Sequence, residues 1–314
     1  MLLELKDIVK KFGEVEVLKG VTFDLLAGEV LGLVGENGAG KSTLMNILSG
    51  IHQPTAGEMV LKNEAFAPRT PNDSLDAGIA FIHQELNLFP NLSIFENLFI
   101  NNFPIRKILG LSFINRKAAV AKAEELLEQV GLEVGVGTLV ESLSPAQKQL
   151  LEIAKALSSA PQVIIFDEPT TALTRHESSK LFELIHELKG KGIAMIYISH
   201  NLEDVILLSD KITVLRDGSL VNSYQKEDAF SLRAIVGDMV GRDMEQLFPP
   251  RNAVSVGERL LEVKGMSMPP IINAVSFSAC KGEVLGFYGL VGAGRSEVAR
   301  CIYGLDSFED GEIR

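Results

Sequence analysis

Residues 30–42 read Val-Leu-Gly-Leu-Val-Gly-Glu-Asn-Gly-Ala-Gly-Lys-Ser. Five mostly apolar residues run into Gly35–Ser42, a complete G-x-x-x-x-G-K-[ST] phosphate-binding loop. Ser42–Ser49 follows as a helix closed by Gly50. A buried strand, a glycine loop and a helix in that order raise the motif above chance. Backbone N–H groups and a helix N-terminus then face one point, the geometry a triphosphate requires. Lys41 would reach the β- and γ-phosphates, and Ser42 would ligate Mg²⁺.

The loop occurs twice. Residues 289–296 read Gly-Leu-Val-Gly-Ala-Gly-Arg-Ser, with Arg295 at the lysine position. An offset of 254 positions lays Gly35 on Gly289, Leu18–Gly35 on Ile272–Gly289, Gly50 on Gly304, and Gly57-Glu58 on Gly311-Glu312. One offset for all these matches implies two copies of one unit. The period is domain-sized, and the chain ends at Arg314, early in the second copy. The expectation is a first domain over 1–241, a linker over 242–258 carrying Pro249-Pro250, and the incomplete start of a second over 259–314. Such a piece is expected to be part of a longer protein.

The 314 residues are 46% hydrophobic, enough for a substantial core. The net charge of −11 argues against a nucleic-acid partner, which needs a cationic surface. Two cysteines, Cys280 and Cys301, give no disulfide framework and fit a reducing cytoplasm. No apolar run approaches the roughly 20 residues of a membrane span, so any membrane role needs a partner.

Strand-like alternation opens the chain at Leu3, Leu5 and Ile8, and Val21–Leu25 precedes the turn at Ala27-Gly28. Residues 88–140 read as helical, with Asn115 capping a helix that Gly131 stops. Leu143–Ser158 is a capped helix and Val163–Phe166 a buried strand. Glu177–Lys189 is amphipathic, Ile193–Ile198 is a strand, and Lys211–Tyr224 is a hairpin turning at Asp217-Gly218. The whole reads as α/β, with an early antiparallel β element and a helical insertion.

Val163–Glu168 sets four apolar residues before two carboxylates, about 125 residues beyond the loop. Asp167 at the strand end can hold Mg²⁺, and Glu168 can orient or deprotonate an attacking water. A solvated acidic turn is the plain alternative, and it loses when a phosphate loop lies upstream.

Leu143-Ser144-Pro145-Ala146-Gln147 opens the helix before that strand. The order of glycine loop, Gln84, this helix opening, Asp167-Glu168 and His200 resembles the ATP-binding cassette (ABC) transporter ATPases. The family signature is Leu-Ser-Gly-Gly-Gln. This chain keeps Leu143, Ser144 and Gln147 and places Pro145 and Ala146 at the glycines. The resemblance implies a P-loop NTPase of ABC type: a RecA-like core with an antiparallel β subdomain and a helical subdomain, followed by the start of a second ABC unit. It implies ATP and Mg²⁺ as ligands, with Gly35, Asn37, Gly38, Ala39, Gly40, Lys41, Ser42 and Thr43 around the phosphates. Phe12 would stack on adenine, where the family has tyrosine. Ser42, Gln84 and Asp167 would serve the metal, and Glu168, His200 and Gln84 the hydrolysis. In Thr170–Thr174, which the family uses to communicate between sites, this chain departs from Ser-Ala-Leu-Asp at its first and last positions.

The tandem arrangement, the reduced signature and the arginine-bearing second loop narrow the likeness to ATPase subunits of bacterial monosaccharide importers of the ribose, galactose and xylose class. Residues 235–249 look like that group's interdomain segment. The implied partners are transmembrane permease subunits, through them a periplasmic sugar-binding protein, and the second ABC unit of the same chain. The implied place is the cytoplasmic face of the inner membrane, bound peripherally. Importers of nucleosides or signalling sugars use similar subunits. A ribosome-acting tandem cassette protein would carry two intact loops and a long charged linker. A chromosome or repair ATPase would need sustained heptads between Ser42 and Leu143, which are absent.

Overall fold

The computed structural model describes residues 1–100, 103, 105–108, 111–241, 257–290 and 292–314. They fall into two compact units, Met1–Met244 and Glu245–Arg314. Most of the sequence-predicted linker, 242–256, lies outside the described residues.

The first unit opens with β1 (Leu3–Phe12), β2 (Val15–Leu25) and β3 (Val30–Val34), then α1 (Lys41–Leu48). Next come β4 (Ala56–Leu61), β5 (Glu64–Ala65), α2 (Pro71–Asp76), β6 (Ile79–Ile82) and α3 (Ile94–Phe99). A short pair, β7 (Ile105–Ile108) and β8 (Leu111–Ile114), precedes α4 (Arg116–Gln129) and α5 (Pro145–Leu157). The unit continues with β9 (Val163–Asp167), α6 (Arg175–Gly190), β10 (Ala194–Ile198), α7 (Leu202–Leu208), β11 (Lys211–Arg216), β12 (Ser219–Gln225) and α8 (Leu232–Val240).

Two sheets result. A six-stranded sheet runs β12-β11-β3-β10-β9-β6, parallel except for β12; a four-stranded antiparallel sheet runs β2-β1-β4-β5. The central strands are apolar throughout because both of their faces are covered. Their side chains alternate between two cores with period two. Val30, Val34, Ile164, Phe166, Met195 and Tyr197 face the core shared with α5 and α6. Leu31, Leu33, Val163, Ile165, Ile196 and Ile198 face the core shared with α1 and the antiparallel sheet. Gly32 breaks the pattern because a Cβ there would lie 2.5 Å from Val205 of α7.

The expectation of a helical stretch over 88–140 needs one correction. α3 and α4 are helices, with Asn115 capping α4 through the Ala118 N–H, but β7 and β8 pair antiparallel between them. Ile105, Ile108 and Ile114 are β-branched and favour an extended chain.

The second unit contains β13 (Arg259–Met268), β14 (Ile272–Cys280), a helix over Arg295–Tyr303 and β15 (Asp310–Ile313). β13 pairs antiparallel with both β14 and β15, as β1 pairs with β2 and β4. The counterpart of β3 differs: residues 283–290 form no strand, and Val284 and Tyr288 are 98% and 99% exposed. In the first unit β3 lies between β10 and β11, and residues 257–314 offer no described neighbour of that kind.

Candidate functional site

The glycine loop leaves β3 at the sheet's carboxyl edge and ends on α1, the position where open α/β sheets bind ligands. A Cβ on Gly35 would fall 2.2 Å from the Leu215 carbonyl oxygen of β11, so only glycine fits. Gly40 caps α1 with φ 107°, in the region that favours glycine. The turn at Asp217-Gly218 braces the loop from outside: Gly218 N–H donates to the Ala39 carbonyl at 3.1 Å, and Lys19 N–H donates to the Gly218 carbonyl at 2.8 Å. Asn37 and Gly38 are exposed at the loop tip, Ser42 is exposed at the first turn of α1, and Thr43 is half-buried.

Lys41 is only 8% exposed. Its Nζ donates to the carbonyls of Gly35 at 2.7 Å and Glu36 at 3.0 Å, which holds the ammonium under the loop. Burial lowers its pKa, and the nearby Glu168 and Asp167 oppose that fall. The loop lysine and the two carboxylates predicted from the sequence therefore share one electrostatic neighbourhood.

Asp167 ends β9 beside Ile198 of β10. Burial, then the Glu168 charge, raises its pKa; Lys41 and His200 offset only part of this. The folded carboxyl thus holds its proton more tightly than the unfolded one does. This costs nothing at low pH and destabilises the fold progressively as pH rises through the raised value. Asp167→Asn is expected to raise the melting temperature at pH 8, with the gain shrinking as pH falls toward the carboxylate range. Paired melting curves for both proteins across pH check this; a gain that grows at low pH would refute it.

Glu168 stands one residue beyond β9 with φ 53°, a left-handed conformation rare for glutamate. Its N–H donates to the Ile198 carbonyl at 2.8 Å. Its carboxylate gathers three loops. Oε1 lies 2.5 Å from His200 Nε2, and Oε2 accepts from Gln84 Nε2 at 3.1 Å. Thr171 Oγ1 donates to the Glu168 carbonyl at 3.1 Å and lies 3.5 Å from Oε2. Gln84 follows β6 and His200 follows β10, so adjacent strands β6, β9 and β10 aim all three groups from one edge.

Two predicted site segments stay apart from this cluster. Phe12, at the end of β1, is 44% exposed; its ring meets His52 edge-on at 5.1 Å and carries Lys10 Nζ 4.9 Å from its centroid. In the signature segment, Ser144 caps α5: Oγ accepts the Gln147 N–H, and Gln147 Oε1 accepts the Ser144 N–H at 2.9 Å. Pro145 takes the first helical position, where a missing N–H costs the helix nothing. Leu143 is buried in the helical core, and the side-chain hydrogen bonds of Ser144 and Gln147 stay within the segment. Sequence reasoning missed the bracing turn at Gly218, where a Cβ would lie 2.3 Å from the Val17 carbonyl oxygen. The Asp217-Gly218 pair was legible as a hairpin turn, not as a support for the loop.

The family model described as ABC transporter matches residues 18–171, which carry the loop, the signature segment, Asp167 and Glu168. Over its whole length the chain is 43% identical to the ribose import ATP-binding protein RbsA of Bacillus licheniformis and 42% identical to that of Bacillus subtilis strain 168. Residues 18–171 are an ABC transporter domain. It spans 62% of the length of each of these two relatives. Solved structures agree with the fold of the ABC unit. A nucleotide-free ATP-binding cassette of an ABC transporter superposes with TM-score 0.67 at 27% identity, covering 77% of this chain and 99% of that one. A structure of an ABC transporter ATP-binding cassette in its ADP conformation gives 0.65 at 26% identity over 77% and 99%. The ABC unit is a nucleotide-binding domain, as its loop geometry requires.

Proposed function

We propose that this chain is the ATP-binding and ATP-hydrolysing part of an importer that drives a monosaccharide through a membrane permease. The convergence of Lys41, Asp167, Glu168, Gln84 and His200 at one sheet edge carries the ATPase reading. The identity to two proteins named for ribose import supports the sugar.

The loop N–H groups of Gly35–Ser42 and the α1 N-terminus would cradle the phosphates, with Lys41, held by its two loop carbonyls, reaching the β- and γ-phosphates with its remaining hydrogen. Phe12 would stack on the base. Among the described residues no three His, Cys, Asp or Glu side chains cluster around one point, so no all-protein metal cage exists. The donors present still fit Mg²⁺, which keeps waters and takes one or two protein oxygens beside phosphate. Ser42, Asp167 and the Gln84 carbonyl oxygen would hold it, and bound Mg²⁺ would neutralise phosphate charge. Glu168 would take a proton from the attacking water while the Gln84 amide orients it. His200 would hold Glu168 in place and face the γ-phosphate.

The first domain is read as 1–241, with 242–258 a linker and 259–314 part of a second unit. Its partners would be the permease and, through it, a periplasmic sugar-binding protein. No described helix is long and apolar enough to cross a membrane, which suits a peripheral subunit on the cytoplasmic face. Cells deleted for the gene are expected to lose accumulation of radiolabelled ribose, galactose or xylose, and to regain it with the wild-type gene but not with Glu168→Gln. Wild-type-level uptake of all three sugars in the deletion strain would refute the assignment.

A further inference from the structure

The loop after Glu168 and the loop carrying His200 meet a second time, through Thr170. Asp204, in the first turn of α7, joins them. Its Oδ2 accepts from Thr170 Oγ1 at 3.0 Å, and its Oδ1 accepts from Asn201 Nδ2 at 2.9 Å. Asn201 is itself fixed: its N–H donates to Ser199 Oγ at 3.0 Å, and its Oδ1 accepts the Glu203 N–H at 3.1 Å, capping α7. The buried Tyr197 hydroxyl lies beneath, with Thr170, Asp204 and Ser199 as its polar neighbours. Thr170, Ser199, Asn201 and Asp204 line a cavity of about 600 Å³ that also reaches His200.

Glu168 needs such a tie. Its left-handed φ is costly, and a conformation of that kind persists only where the surroundings over-determine it. The other ties between the two loops, the Glu168 N–H to the Ile198 carbonyl at 2.8 Å and the Glu168–His200 contact, both lie at Glu168 itself and leave the chain beyond it free to turn. A second attachment at Thr170 and Asn201 removes that freedom. Without it, Glu168 could relax toward an ordinary φ and carry its carboxylate out of line. Water in the adjoining cavity would satisfy the freed hydroxyl and amide but would not hold the loops together.

We propose that Asp204 is a positioning residue, clamping the Thr170 and Asn201 loops so that the Glu168–His200 pair keeps its geometry for hydrolysis. This rests on the ATPase reading above. The test is single-turnover ATP hydrolysis by the chain, with protein in excess of ATP so that slow chemistry is visible. Asp204→Ala and Thr170→Val are each expected to lower the limiting rate about tenfold, as loss of orientation does. The protein concentration for half-saturation and the calorimetric affinity for ATP should not move. The double variant should be no slower than the slower single one, because both changes cut one network. Asp204→Asn, which keeps an acceptor for Thr170, should recover most of the rate. A limiting rate for Thr170→Val within twofold of wild type would overturn the proposal, and so would effects that multiply in the double variant. Thr170→Val is nearly isosteric, so it decides the matter even if Asp204→Ala misfolds. Glu168→Gln in the same series separates the two readings. If it slows hydrolysis and the Asp204 variants do not, only the positioning role fails; if it too is without effect, the ATPase reading fails with it.

Discussion

Glu168→Gln is expected to slow ATP hydrolysis by about 10²-fold or more, the loss typical of a removed general base, and to leave nucleotide binding nearly intact. The carboxylate is the meeting point of the site. Oε1 faces His200 Nε2 at 2.5 Å, and Oε2 accepts from Gln84 at 3.1 Å. Glutamine keeps the shape and one acceptor oxygen, so the loops stay assembled. It loses the charge and the ability to take a proton. The phosphate loop and Lys41 are untouched, so affinity for ATP should hold. Single-turnover phosphate release and calorimetry on the same preparation separate chemistry from binding. Unchanged turnover would remove Glu168 from the proton-transfer role and leave His200 as the next candidate. Equal loss of affinity and turnover would mean that the substitution had collapsed the site and not its chemistry.

Much of this arrangement was legible in the chain. The apolar runs at Val30–Val34, Val163–Phe166 and Ile193–Ile198 are short and bounded by turn residues, the length and punctuation of strands covered on both faces. The loop at Gly35–Ser42, the Asp167-Glu168 pair and His200 each follow one of those strands, so their common edge follows from parallel topology. What stayed hidden depends on contacts between distant residues. Gly35 needs to be glycine because of Leu215, and Gly218 because of Val17; neither constraint has a local signature. The Thr170–Asp204 bond joins residues on different elements, and Asp204 reads in sequence as one more acid opening a helix. The hairpin of β7 and β8 sits in a stretch dominated by helical text and is marked only by its β-branched residues. The 254-residue offset lays Val284–Tyr288 over β3, yet pairing depends on neighbours that the offset does not report.

The second large effect is on binding. Lys41→Ala is expected to weaken ATP affinity by about 10²-fold or more, the scale for removing one partner of a buried, hydrogen-bonded charge pair. Lys41 Nζ already gives two of its three hydrogens to the Gly35 and Glu36 carbonyls, at 2.7 and 3.0 Å, so the ammonium is fixed beneath the loop with one hydrogen left for a phosphate. Its burial is unfavourable for the charge, as its lowered pKa records. A folded pKa below the unfolded one means that the unfolded chain holds this proton better, so stability tied to it rises with pH. Alanine removes that cost together with two hydrogen bonds, and the variant should melt close to wild type. The affinity loss will then report the phosphate contact and not misfolding. Lys41→Arg makes the first loop match the second at Arg295, where the helix likewise starts after a left-handed glycine, Gly294. Arginine keeps the charge, but its planar fork cannot reproduce a compact ammonium bonded to two loop carbonyls and a phosphate chain. Its affinity should fall between wild type and alanine. Equal calorimetric affinities for wild type and Lys41→Ala would take the phosphate contact away from Lys41. Equal affinities for wild type and Lys41→Arg would mean that the second loop's arginine is no obstacle to nucleotide there.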